Sequence, residues 1–293
     1  MVRNSLKGGL TGYLPGIALL AFCVWGGSSS GAPGKWTDRG ASDPAADGRI
    51  LWAPRVAQDP NSLTTVFKYT DFTDVSGLTL NGNAEQQGRF LLVTPAGGGA
   101  GSVWYTNQVN VAQGFLTQFR FKIRRLPNLC PGDGMAFVVQ NSSLSALGTG
   151  GGWMGYGGIS NSLAVEFDTH VNTGFYDPNN NHVGVQSCGI SANTPDHGTT
   201  CNLGLRANPP VTLSDGNPHA ASISYFPTQG GSGLLSVEID KQVVLTSTVD
   251  LSTLLSLNGD DAWVGFTAGA GACDESHALA AWELATVATA GAD

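Results

Sequence analysis

The chain has 293 residues, of which 41 are glycine and only 12% are charged, and its formal net charge is −8. That charge excludes nucleic acid and anionic membrane surfaces as natural partners. A chain so poor in charge solubilises itself with Ser, Thr, Asn and Gly, in the manner of extracellular β proteins, and no helix-period segment of useful length follows the amino terminus.

Residues 1–30 read as a signal peptide. Arg3 and Lys7 give a basic start, and the apolar run from Leu14 to Trp25 is interrupted by Pro15 and Gly16. That run is shorter than the roughly 17–25 residues that cross a bilayer, and small residues suited to cleavage follow it. The protein is therefore expected to be secreted, extracellular and without a membrane partner once the signal is removed. Residues 31–62, rich in Pro, Gly, Asp and Ala without a period, read as a linker or poorly ordered arm. The interval 63–287 holds a succession of short strand-like runs between turns, the pattern of an all-β sandwich, and 288–293 is a tail.

Within that interval SGLTLNGNA, GRFLLVTP and GSVWYTNQV come first. GFLTQFRFKIRR then alternates, with Phe119, Phe121 and Ile123 inward and Arg120, Lys122 and Arg124 on a solvated face. PGDGMAFVVQ is a buried strand entered through Asp133, by itself an ordinary turn aspartate, and TGGGWMGYGG is a glycine loop. LAVEFDTH follows as a half-buried strand: Val165 and Phe167 lie on one face, Ala164, Glu166, Asp168 and His170 on the other.

Two carboxylates two residues apart on one strand face repel unless a cation holds them. The loop NTGFYDPNNNH brings Asn172, Asp177 and His182 back toward them. Taken alone these are ordinary turn residues. As a set they suit two ions. Oxygens of Asp168, Asn172, Asp177 and a backbone carbonyl suit Ca²⁺. His182 with Glu166, Asp168 and Asp177 suits Mn²⁺ or another transition ion.

Cys130, Cys188, Cys201 and Cys273 remain after the signal, Cys23 being read as part of it. An even count in an exported chain implies two disulfides, with three pairings open. Cys188 and Cys201 flank a turn-rich loop and are expected to pair, which leaves Cys130 with Cys273. A Cys₄ zinc site lacks the C-x₂-C spacing such sites use. The strand runs HAASISYF, GLLSVEIDKQVVLTSTV and DAWVGFTAG lead to AGACDESHALAAWEL at the end of the interval.

The pattern E-F-D-T-x-x-N-x(4)-D-P-x(3)-H from Glu166 to His182 resembles the metal signature of the legume-type (L-type) lectins, and the opening strands resemble those of bacterial members. The resemblance covers residues 63–287. It implies a concanavalin-like jelly-roll sandwich of two antiparallel sheets, binding glycans and not acting as an enzyme. By it Glu166, Asp168, Asp177 and His182 hold the transition ion. Asp168, Asp177, Asn172 and the His170 carbonyl hold Ca²⁺. Asp133 follows a cis peptide and accepts from sugar hydroxyls, Gly152 gives its backbone N–H, and Asn172 contributes its amide. Gly132 replaces the family's usual Ala and is expected to leave the loop freer. His170 stands where the family often has a stacking Phe or Tyr, a role Trp153, Tyr156 or Phe175 is placed to take. Asp274, with Glu275 and His277, falls in the loop that tunes sugar choice in the family. Members often pair through the back sheet, so a homo-oligomer is open. Two rivals stand beside this reading. One is a glycoside hydrolase on the same fold, using Glu166 and Asp168 as its carboxyl pair. The other is a structural or adhesion module whose sugar site has decayed.

Overall fold

Period-two alternation of large apolar residues resolves into two antiparallel sheets with their apolar faces together. The computed structural model describes residues 63–127, 129–228 and 231–287. The signal-peptide, arm and tail readings at 1–62 and 288–293 lie outside the described residues.

The first sheet orders its strands as Gln242–Val249, Gly233–Ile239, His219–Pro227, Phe115–Arg125, Glu275–Val287, Phe90–Thr94 and Glu85–Gln87, with Leu63–Tyr69 also paired to Glu275–Val287. The second runs Asn202–Ala207, His182–Gln186, Ser162–Asp168, Gly134–Gln140, Asp261–Ala270, Gly99–Tyr105 and Leu78–Gly82, with the short Val109–Asn110 strand also on Asp261–Ala270. Runs of consecutive strands in both sheets meet at crossovers, as where His219–Pro227 lies beside Phe115–Arg125 and Gly134–Gln140 beside Asp261–Ala270, the mark of a jelly roll. Helix is confined to the four residues Leu251–Leu254 among the described residues, plus two 3₁₀ turns at Gly151–Trp153 and Thr173–Phe175.

Phe119, Phe121, Ile123, Ile223, Tyr225, Val237, Ile239 and Trp282 of the first sheet meet Phe137, Val165, Phe167, Val183 and Phe266 of the second in one core. Phe119 packs edge-on against Phe167 and Phe266 with ring centroids 5.8 and 4.8 Å apart, an arrangement that adds to the area buried. Trp282 is fully buried and donates its indole N–H to Thr117 Oγ1 at 2.9 Å, so its one polar atom is not orphaned.

The Ser162–Asp168 strand departs from the half-buried reading. All seven residues are buried, because residues 141–160 fold over its outer face. Trp104, Ala136, Val138, Met154, Tyr156, Ile159 and Ala164 form a second, smaller cluster there. The outward acids Glu166 and Asp168 consequently sit under cover rather than in water.

Candidate metal centre and carbohydrate site

Strand register assembles the acids. Antiparallel pairing sets His182 opposite Asp168 and Gly184 opposite Glu166, and on the other side Gly134 opposite Asp168. The loop from Asn172 to Asn181 turns back over the strand end, held by the Asn172 N–H donating to Asp177 Oδ2 at 2.6 Å. His182 Nε2 then lies 3.9 Å from Glu166 Oε1, 3.8 Å from Asp168 Oδ2 and 3.9 Å from Asp177 Oδ1, with every one of these side chains 2% exposed or less. All the expected transition-ion residues are thus together. Asn172 reaches the same loop, and the His170 N–H donates to Asp168 Oδ1 at 2.8 Å.

Burial without a counter-charge has a cost visible in the acids. Burial raises the Asp168 carboxyl well above its ordinary value, and Glu166 and Asp177 push it further. Burial also raises Asp177 from 3.8 to about 6, although the Asn172 N–H opposes it. Burial lowers the His182 imidazole, which favours the neutral, lone-pair form that binds metal. Its Nδ1 lies 2.8 Å from the Asn179 carbonyl, which can only accept; Nδ1 therefore carries the proton and Nε2 faces the acids bare.

Two residues that the sequence did not assign complete the cluster. Tyr156, considered above as a stacking ring, is fully buried and donates its hydroxyl to Glu166 Oε2. His197, within the loop closed by Cys188 and Cys201, places Nε2 3.0 Å from Glu166 Oε1 and 3.1 Å from His182 Nε2. Burial lowers its imidazole, but the Glu166 and Asp177 carboxylates outweigh that and leave it raised. Nothing local in the sequence marks His197; the only signal was a histidine inside a disulfide-closed loop following the metal strand.

The residues present fit a pair of cations. Glu166 Oε1 and Asn172 Oδ1 are buried acceptors without a hydrogen bond among the described residues, an arrangement rarely left uncompensated. Two overlapping ligand groups, Glu166–His182–His197 and Asp168–Asp177–His182, are each compact enough to share an ion.

The expected sugar-facing residues lie beside this cluster. The Gly132–Asp133 peptide is cis. Asp133 is buried, its backbone N–H donates to the Gly269 carbonyl at 3.0 Å, and Oδ2 has no hydrogen bond among the described residues. Burial raises its carboxyl, which the neighbouring His170, His277 and Asn172 side chains oppose. Gly152 packs on the Asn172 amide so closely that a Cβ there would stand 2.6 Å from Oδ1.

The His170 ring turns away, Nδ1 lying 3.0 Å from the Pro131 carbonyl. Trp153 and Phe175 instead make an edge-to-face pair, centroids 5.3 Å apart, with Trp153 partly exposed. Asp274 is buried and accepts from the Gly97 N–H at 2.7 Å through Oδ2. Glu275 and His277 are fully buried in the Glu275–Val287 strand, not at a loop tip: Thr169 donates its hydroxyl to Glu275 Oε1, and His277 Nδ1 lies 2.6 Å from Thr94 Oγ1.

Both expected disulfides are present, Cys130–Cys273 and Cys188–Cys201, with Cα separations of 4.8 and 4.6 Å. The first explains Gly132: a Cβ at that position would lie 2.7 Å from Cys273 Cβ. The loop before Asp133 is therefore pinned, not freer, and the bridge leaves room only for glycine.

With this geometry in place, the comparisons with known proteins are direct. The family model of the legume lectin beta-barrel domain matches residues 69–282, and the chain belongs to that family of carbohydrate-binding domains, which are not enzymes. It is 27% identical over 244 residues to the L-type lectin-domain containing receptor kinase VIII.1 of Arabidopsis thaliana, covering 76% of this chain and 32% of the kinase. It is 33% identical over 103 residues to a galactose-binding lectin of Arachis hypogaea, covering 33% of this chain and 36% of that lectin. The chain thus spans about a third of the length of the curated relatives it matches. Among solved structures, a lectin from Bauhinia forficata in complex with GalNAc superposes with a TM-score of 0.62 at 22% identity, covering 78% of this chain and 100% of that one.

Proposed function

We propose that the protein is an exported, metal-dependent lectin whose ions order the loops that hold a sugar. Ca²⁺ is held by Asp168, Asp177, Asn172 and the His170 carbonyl, and a transition ion by Glu166, Asp168, Asp177 and His182. When bound, the ions supply positive charge that compensates the crowded carboxylates and fixes the loops; they carry out no reaction. Asp133 accepts from sugar hydroxyls, the Gly152 N–H donates to the sugar, and Asn172 turns its amide NH₂ toward the same ligand. Trp153 and Phe175 supply an apolar rim against the sugar's C–H face.

The observation that carries this reading is the gathering of Asp133 Oδ2, Asn172 Oδ1 and Glu166 Oε1, three buried acceptors without hydrogen bonds among the described residues, around the end of the second sheet where Gly134, Asp168 and His182 pair. The two disulfides support an oxidising, extracellular setting. The site does not favour the hydrolase reading: Glu166 and Asp168 are buried, and Glu166 accepts from the Tyr156 hydroxyl with His197 against it, rather than standing open to a glycosidic bond.

A glycan array probed with purified protein, with and without EDTA, tests the proposal. Selective glycan signals that vanish on chelation and return with added ions are expected. Signals indifferent to chelation, or none from the ion-loaded protein, would refute it.

A further inference from the structure

We propose that His197 is a direct ligand of the transition ion, making a site of two imidazoles and three carboxylates that selects Zn²⁺, Co²⁺ or Ni²⁺ over Mn²⁺; this rests on the two-ion reading above. His197 Nε2 is 3.1 Å from His182 Nε2, 3.0 Å from Glu166 Oε1 and 3.6 Å from Asp177 Oδ1. Two donors each about 2.1 Å from one ion, at right angles, lie about 3 Å apart. His197 Nε2 therefore already stands at the spacing of an adjacent position from both Glu166 Oε1 and His182 Nε2, which themselves lie 3.9 Å apart, a separation one ion can still span at a wider angle. Glu166 Oε1 has no hydrogen bond of good geometry among the described residues, although His197 Nε2 lies 3.0 Å away.

The surroundings of His197 suit a ligand. Its Nδ1 lies 2.6 Å from the Gln186 amide, whose Oε1 is buried without a hydrogen bond among the described residues. Turning that amide by 180° gives its oxygen a partner in Nδ1–H and leaves Nε2 bare for metal. The backbone holds the ring in place: the His197 N–H donates to the Phe175 carbonyl at 2.9 Å, and the Cys188–Cys201 bridge closes its loop. Gly184 makes room, since a Cβ there would stand against Glu166 Oε1 and 3.0 Å from His197 Cε1.

The chemistry then sets the choice of ion. Carboxylate and water ligands suit Mn²⁺, whereas each added imidazole favours ions later in the first-row series. A water at this position would leave that preference weaker; a second imidazole nitrogen strengthens it.

The test uses the full chain stripped of metal and reloaded in competition, with ion content read by elemental analysis. The variants are His197→Gln, which keeps volume, and His197→Ser, which makes room for water. The parent is expected to take Zn²⁺ over Mn²⁺. Both variants should lose about tenfold or more in Zn²⁺ affinity while holding Mn²⁺ and Ca²⁺ as the parent does. Pulsed electron paramagnetic resonance of the Cu²⁺-loaded protein should show couplings from two imidazoles in the parent and one in each variant. Unchanged Zn²⁺ preference, a single imidazole in the parent, or equal loss of all ions in both variants would overturn this inference alone. A parent that takes up neither Ca²⁺ nor any transition ion would overturn it together with the two-ion reading.

Discussion

Asp133 and Gly184 separate the two halves of the site at the level of single residues. Asp133 is a buried acceptor with no expected metal contact, so Asp133→Asn keeps shape and replaces a charged acceptor with a donor. Charge-assisted bonds of this sort are worth about 1.5–3 kcal/mol each. The variant should lose most glycan binding in a titration while elemental analysis still returns both ions and the melting temperature stays near the parent's. Undiminished glycan affinity would remove Asp133 from the sugar site. Gly184→Ala should do the reverse at the other end, because its Cβ meets the Glu166 carboxylate. Transition-ion content should fall while Ca²⁺ stays, and normal content of both would mean Glu166 is not a ligand. The sequence made Glu166, Asp168, Asn172, Asp177 and His182 legible because a single strand and its loop carry them all at fixed spacing. His197 and Tyr156 were not legible. Each reaches Glu166 through a fold-level contact, from a disulfide loop and from a glycine loop packed over the strand.

At the scale of the element, the Ser162–Asp168 strand stores like charge that the proposed ions would offset. In chelated protein burial and neighbouring carboxylates hold Asp168 high, and Asp177 is raised to about 6. A carboxyl raised in the folded state stabilises the fold below its unfolded value and loses that contribution as pH climbs through its folded value. The metal-free protein should therefore weaken as pH rises from about 4 to beyond about 6. Asp177 alone contributes on the order of 3 kcal/mol to the difference. Thermal melts of chelated protein across this range check the sign, and Asp177→Asn should flatten the curve. Melting that instead rises from pH 5 to pH 7 in the chelated parent, and equally in the variant, would mean these acids are solvated. The alternation in LAVEFDTH gave the strand and its faces correctly, since period two is local. It could not reveal the cover, because residues 141–160 lie over Glu166 only after the sheet has formed. Glu275 and His277 were misplaced for a related reason: the turn after Gly271 is short, so the strand begins at Glu275 itself.

At the scale of the whole molecule, two sheets share one core, and the disulfides and the proposed ions would act on a fold already built by Phe119, Phe167, Phe266 and Trp282. Ion removal should lower the melting temperature without abolishing the fold, since anything bound only by the native state stabilises it. An unchanged melt after verified metal loss would refute this. The bridges should differ in weight. Cys130–Cys273 closes a separation of 143 residues and Cys188–Cys201 one of 13. On the chain-entropy argument the first is worth about 5 kcal/mol and the second about 3. Denaturant unfolding of Cys130→Ala/Cys273→Ala and Cys188→Ala/Cys201→Ala double variants compares them, and a larger loss from the second would contradict that ranking.

The longer bridge also ties recognition to cellular geography. Cys273 presses on Gly132, and the next residue is Asp133. A newly made chain in a reducing cytoplasm can assemble its sheets and gather its carboxylates while the segment bearing Asp133 hangs untethered. Under the proposed export, competence for glycans would arrive only with oxidation, after the chain has left a reducing compartment. Mild reduction of folded protein should accordingly abolish glycan binding at reductant levels that leave the ions bound and the core intact. Affinity that survives opening of Cys130–Cys273 would show that the loop keeps its place without the tether.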